Sequence, residues 1–450
     1  MIPLWRPLLV ALVAFALGWA LDRRGVILPR GSFVRAPLLV LSTLVVAYVG
    51  FVAPLLLPPL AGAWLWARRS ATSPAQSSTA GDGLTASART TRRHLDVALA
   101  AGAFLVVALL LRPDTPCFWD AFVWLAKARF ASRGPLALVQ GGLTRGAFAF
   151  VPEGYPLFDP FAVAALGGFG SSSRAVVAGA TGLELLAMGC FVGALAEERA
   201  QSRRESVTRL FVVTALLVTC PLVVVHLRSS YVDLPLGLLL AALALLLPRE
   251  GTGGACAILA MAMASLKDEG LAHVLVVAAL AGVRSFTRAR EGARDEARSL
   301  RARSAATAVA ALAMADAWHL RLAAAHLVNS DHALSHPHLE RIGTLIALAV
   351  DHLSDFTSWG ALWVLALGAA AATTFGRRRA AASAPARRLA TLLVADAVVV
   401  LAGLLVTPDR VMAFASGGSL LNRIAMQLAP LAALLVAAWL PPGAPATVAR

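Results

Sequence analysis

Apolar runs long enough to cross a lipid bilayer recur from one end of this sequence to the other, and no soluble core can absorb them. A transmembrane helix needs about 20 predominantly apolar residues. Hydropathy marks such runs at Pro3–Leu21, Ala36–Trp66, Leu95–Leu111, Ala175–Ala196, Leu210–Val225, Val232–Leu247 and Ala255–Leu266. Further runs lie at Leu271–Val283, Ala305–Ala325, Ser358–Phe375, Leu389–Val406 and Leu420–Leu440. Open sheets cannot satisfy their backbone groups in lipid, so the spans are helices. The expected fold is an all-α polytopic membrane protein with about a dozen crossings.

Composition agrees. Apolar residues make up 58% of the chain and charged residues 14%, against roughly 25% charged in soluble domains. A net charge of +15 would suggest nucleic acid in a soluble protein, but here the arginines fall mainly in short segments between apolar runs, where they set membrane orientation. Nucleic acid is therefore not an expected partner. The positive-inside rule places the clusters Arg68–Arg93, Arg199–Arg209, Arg284–Arg303 and Arg377–Arg388 in the cytoplasm. Residues 112–160, 226–231, 267–270, 326–355 and 407–419 then lie on the opposite face, with the stretch Pro156–Phe169 re-entrant or interfacial. Residues 1–66 read as accessory N-terminal helices, the first of them retained, and 67–94 as a flexible cytoplasmic linker. Residues 95–440 read as the working module and 441–450 as a cytoplasmic tail. The cysteines Cys117, Cys190, Cys220 and Cys256 show no metal-ligand spacing, and no metal or other cofactor is indicated.

Scarce residue types concentrate where chemistry is expected. Of 40 basic residues only Lys127 and Lys267 are lysines, and two of the three tyrosines are Tyr155 and Tyr231. Asp120, Trp124 and Lys127 follow at four- and three-residue spacing, so on a helix they share a face, with Trp119 and Arg129 beside it. Such a segment suits an amphipathic helix lying along the membrane surface. Asp233 stands at the mouth of an apolar helix, where ionisable groups are costly and often functional. Lys267, Asp268 and Glu269 interrupt two apolar runs. Arg423 and Gln427 share a helix face at the expected outer boundary. His332 and His336 have a spacing that suits a metal or substrate contact, in a loop rich in histidine.

The order Trp119-Asp120, Trp124-x-x-Lys127, Glu153-Gly-Tyr155-Pro, Tyr231-Val-Asp233-Leu-Pro, Lys267-Asp-Glu269-Gly, then Arg423 with Pro430, resembles a bacterial branch of the C-type glycosyltransferase superfamily. That superfamily includes the protein O-mannosyltransferases and aminoarabinose transferases. The resemblance implies a cytoplasmic (inner) membrane enzyme with an external first catalytic loop. It would move a sugar from a polyprenyl-phosphate donor to a glycan, lipid or protein acceptor on the periplasmic or extracellular face. It implies Asp120 as catalytic base, with a second acid among Glu153, Asp159 and Asp233, of which Asp233 is the foremost. Lys127, Arg129, Lys267 and Arg423 would meet the donor phosphate. Trp119, Trp124, Glu153, Tyr155, Tyr231, Glu269 and Gln427 would line the substrate site. Membrane lipids are the surrounding partner. Asp120 stands alone where many relatives carry paired acids.

Two other classes compete. A carrier or flippase for a lipid-linked intermediate predicts charged residues in the middle of several helices and duplicated halves, and the sequence shows neither. An assembly or scaffold protein predicts no dependence on Asp120, Lys127 or Lys267.

Overall fold

The computed structural model describes, apart from isolated positions, residues 12–19, 34–52, 119–133, 155–198, 203–229, 231–326, 336–375, 383–409 and 419–440. The expected linker 67–94, the tail 441–450, the run Leu95–Leu111, Glu153 and His332 lie outside the described residues, as do the side chains of Trp119 and Asp120. Among the described residues the fold is helical with no strand. In chain order the helices are α1 (Arg35–Val52), α2 (Trp119–Ala131), α3 (Phe158–Leu166), α4 (Ser173–Glu197), α5 (Arg203–Val218), α6 (Pro221–Ser229), α7 (Asp233–Leu246) and α8 (Gly253–Leu266). They continue as α9 (Asp268–Arg290), α10 (Arg294–Ala324), α11 (Ile342–Ser354), α12 (Phe356–Trp359), α13 (Leu362–Thr374), α14 (Ala384–Leu405) and α15 (Ser419–Trp439).

Four described helices are long and apolar enough to cross a membrane: Ser173–Glu197, Asp268–Arg290, Ala384–Leu405 and Leu420–Trp439. A fifth appears if α5 and α6 count as one broken span. The chain is therefore membrane-embedded, with four or five candidate crossings among the described residues. The expected span Val232–Leu247 is not among them: it forms α7, whose 14 residues are all buried. A helix walled in by protein is as apolar as one facing lipid, so hydropathy cannot separate the two. At about 1.5 Å per residue, α7 is also only about 21 Å long, short of the roughly 30 Å hydrocarbon core.

Two expected spans are interrupted. Leu210–Val225 breaks at Thr219-Cys220, where α5 and α6 meet at 81°. Pro221 lacks the N–H that an unbroken helix would need there. Ser358–Phe375 is split at Gly360, whose φ of +54° closes α12 before α13 starts. The expected arginine loop 284–303 is mostly helix: α9 runs through Arg290, turns at Gly292 (φ +90°), and returns as α10. Arg288 Nη1 donates to Glu296 Oε2 at 2.7 Å across that turn.

The buried axis of the molecule is α7, packed between α4 and α15, with α8 and α9 alongside. At Gly237 an added Cβ would lie 2.5 Å from the carbonyl oxygen of Gln427, so α7 and α15 touch backbone to backbone. Gly270 does the same for the α8–α9 turn, where a Cβ would collide with the carbonyl of Met263. Small residues are how helices approach this closely in a membrane protein. Gly237→Ala is expected to lower stability by about 1–3 kcal/mol through overpacking. A fall in the midpoint of thermal unfolding in detergent checks this; an unchanged midpoint would mean that α7 and α15 can separate at no cost.

Candidate functional site

The chain breaks helix geometry at Lys267, whose extended backbone (φ −155°, ψ 153°) joins α8 to α9 and turns its side chain inward. Asp233 opens α7, and Asp268 and Glu269 open α9, so three acids sit at helix N-termini where the backbone dipoles favour negative charge. Arg423 and Gln427, one turn apart on α15, face the same point.

That point is the Asp233 carboxylate, which is fully buried. Its Oδ1 accepts hydrogen bonds from Lys267 Nζ at 2.8 Å and Gln427 Nε2 at 2.7 Å, and its Oδ2 from Arg423 Nε at 3.2 Å. Lys267 Nζ also donates to Glu269 Oε1 at 3.2 Å. The Arg423 guanidinium lies over the Tyr231 ring, 5.7 Å from its centroid, and Tyr231 stacks on His226 at 4.8 Å. Bringing one carboxylate into a protein interior costs several kcal/mol; two cations and an amide offset that cost, because each bond is charge-assisted in a low dielectric.

The network continues inward through Gln427. Its amide nitrogen is committed to Asp233, so its Oε1 faces His273 Nε2 at 2.7 Å and accepts that N–H. His273 Nδ1 in turn lies 2.9 Å from both carboxyl oxygens of Asp396. His273 and Asp396 are both fully buried. Hydrogen bonds thus run unbroken from Glu269 through Lys267, Asp233, Gln427 and His273 to Asp396, linking α7, α9, α14 and α15.

A second cluster adjoins the first. The expected interfacial helix forms as α2, but its Trp124–Lys127 face turns inward onto α3 instead of lying against lipid. Trp124 is 4% and Lys127 3% exposed. Lys127 Nζ sits 5.4 Å from the Trp124 ring centre, and Trp124 meets Tyr155 edge to face at 5.6 Å. α3 is a nine-residue helix, too short to span, and wholly buried. Burial pushes its Asp159 carboxyl up to about 7; the positive charge of Lys127 opposes the rise and the negative charge of Asp233 adds to it. Those electrostatic contacts join the two clusters.

Of the residues singled out in the sequence, the structure gathers Tyr231, Asp233, Lys267, Glu269, Arg423 and Gln427 around one point, and Trp124, Lys127 and Tyr155 beside it. Arg129 is exposed on α2 and is not drawn in. Asp120 lies in the first turn of α2, four and seven residues ahead of Trp124 and Lys127. The absence of charged groups mid-helix does not hold: Asp396, His273 and Glu184 sit within α14, α9 and α4, all buried. Sequence reasoning missed His273 and Asp396, although a lone aspartate in Leu392-Leu-Val-Ala-Asp-Ala-Val is a signal in itself. No protein family, curated protein or solved structure matches this chain.

Asp159 makes stability depend on pH. Its folded pKa of about 7 lies above the ordinary 3.8, so between those values the folded state holds a proton that the unfolded chain has released. Stability from this group is therefore present at low pH and lost as pH rises through about 7. Thermal unfolding at pH 5 and pH 8 should show a higher midpoint at pH 5, and Asp159→Asn should shrink that difference. An undiminished difference in the variant would assign the pH dependence elsewhere.

Proposed function

We propose that this chain is a membrane glycosyltransferase that moves a sugar from a polyprenyl-phosphate donor to an acceptor hydroxyl. The reaction takes place at the end of the bundle where Asp233, Lys267 and Arg423 meet. The observation that supports this reading is the convergence of acids, cations and aromatic rings from α2, α3, α7, α9 and α15 on one region. The arginine-rich ends gather at the other end of the same helices: Arg249 pairs with Glu197, and Arg303 with the carbonyl of Leu247. With those ends in the cytoplasm, the site faces outward.

In this reading Asp120 takes the proton of the acceptor hydroxyl as its oxygen bonds to the anomeric carbon. The bond from that carbon to the phosphate oxygen breaks, and its electron pair leaves with the lipid phosphate. Arg423 is the cation best placed to meet the developing charge, because it is only half-buried and its planar head is already aligned by Asp233 and Tyr231. Both oxygens of Asp233 are occupied, which suits an anion that holds Lys267 and Arg423 in place. Trp124 and Tyr155 offer apolar ring faces of the kind on which sugars pack.

A carrier for a lipid-linked intermediate is the second reading, favoured by the His273–Asp396 pair inside the helices. It predicts that labelled polyprenyl phosphate crosses between leaflets of proteoliposomes and that Asp396→Asn stops it. The transferase reading predicts covalent transfer from a panel of polyprenyl-phosphate sugars to an acceptor hydroxyl. Asp120→Asn should then slow transfer by about 10²- to 10⁴-fold while leaving the unfolding midpoint in place. Transfer at the wild-type rate would remove Asp120 from the mechanism.

A further inference from the structure

At the end of the bundle opposite Asp233, the C-terminal parts of α7 and α9 and the N-terminal parts of α10 and α14 line a half-open cavity of about 390 Å³. Its walls are apolar, with Leu247, Val277, Leu280 and Leu392 among them, yet Arg284, Arg387 and Arg388 line it as well. Among the described residues no carboxylate lines it. The acids acting on these cations are not part of its lining: Glu198 acts on Arg388 and Glu291 on Arg284. Glu198 is itself engaged by Arg209 at 3.4 Å. Arg288 and Arg284 add positive charge against Arg388. The Arg388 Nε is buried and makes no hydrogen bond among the described residues. A buried guanidinium nitrogen left in that state costs free energy that an incoming anion recovers.

The cavity's surroundings say what kind of anion. Val283 lines it and is 64% exposed, and Phe286 on the next turn is 59% exposed. On α14, Val394 and Val398 follow the lining residue Thr391 at three- and seven-residue spacing, on the same helix face, and both are exposed. A cationic pocket therefore continues into apolar helix surface of the sort that faces acyl chains. Free phosphate would use the first and leave the second bare. Basic pockets between membrane helices are a known setting for anionic headgroups.

We propose that this cavity binds the headgroup phosphate of an anionic phospholipid, with its acyl chains along α9 and α14, at the membrane face opposite the Asp233 cluster. The site is separate from the proposed transfer chemistry, and its test needs no enzymatic readout. The full-length protein in neutral detergent is titrated with phosphatidylglycerol, with phosphatidylcholine, or with inorganic phosphate, and bound lipid is counted by native mass spectrometry alongside thermal unfolding. Phosphatidylglycerol should bind at least ten-fold more tightly than phosphatidylcholine and raise the unfolding midpoint, and inorganic phosphate at the same concentration should do neither. Arg284→Gln/Arg388→Gln should erase the preference. Should that variant fail to fold, Arg284→Gln alone, read by the same competition on the folded protein, should weaken it several-fold. Equal binding of the two lipids, an effect reproduced by inorganic phosphate, or a preference that survives the arginine substitutions would each overturn the proposal.

Discussion

One end of this helical bundle is arranged around a single buried negative charge, the Asp233 carboxylate. The Asp233 carboxylate has no access to water, so it persists as an anion only because Lys267, Arg423 and Gln427 reach it from two other elements. Those reaches dictate geometry. Lys267 must leave the helical path at the α8–α9 junction, α15 must present Arg423 and Gln427 on one face, and α7 must lie close enough to α15 that only glycine fits at position 237. One electrostatic requirement thereby fixes the relative placement of three helices.

The same requirement propagates further than a simple ion pair would. Once Gln427 has spent its amide nitrogen on Asp233, its oxygen is committed to His273, and His273 to Asp396. The result is a polar thread through otherwise apolar helices. In a low dielectric such a thread is rigid when complete and costly when broken. It gives the Asp233 cluster a foundation inside the bundle, and it ties the orientation of Arg423, the half-buried cation at the edge, to residues on α9 and α14. The arginine-lined cavity at the other end of α7 follows the opposite logic. There the cations are held together by the fold with too few anions among them.

Rarity was the most informative feature of the sequence. In a chain that uses arginine almost everywhere, Lys267 and Lys127 stand out, and both prove to be buried among aromatic or acidic partners. Asp233 was visible as a charge at the mouth of an apolar run, and the four-residue spacing of Arg423 and Gln427 correctly put them on one face. What stayed hidden was pairing across long separations. Asp233 and Arg423 lie 190 residues apart and His273 and Asp396 lie 123 apart, and nothing local in the chain records such a contact. Hydropathy also could not tell α7, which is shielded by protein on every side, from a helix facing lipid. It missed the breaks at Thr219-Cys220 and Gly360 as well, where hydropathy stays high while the backbone turns.

The central claim is that Asp233 and Lys267 act as one unit inside the bundle. A double-mutant cycle measures this directly: Asp233→Asn, Lys267→Met and the combined variant, each read as the free energy of unfolding of the full chain in detergent micelles. Each single change should cost about 3–5 kcal/mol by leaving its partner buried without compensation. The pair together should cost clearly less than the sum, since no orphaned charge remains. Strictly additive losses would contradict the account, for they would mean that the two groups do not sense each other and that the cluster is a coincidence of packing.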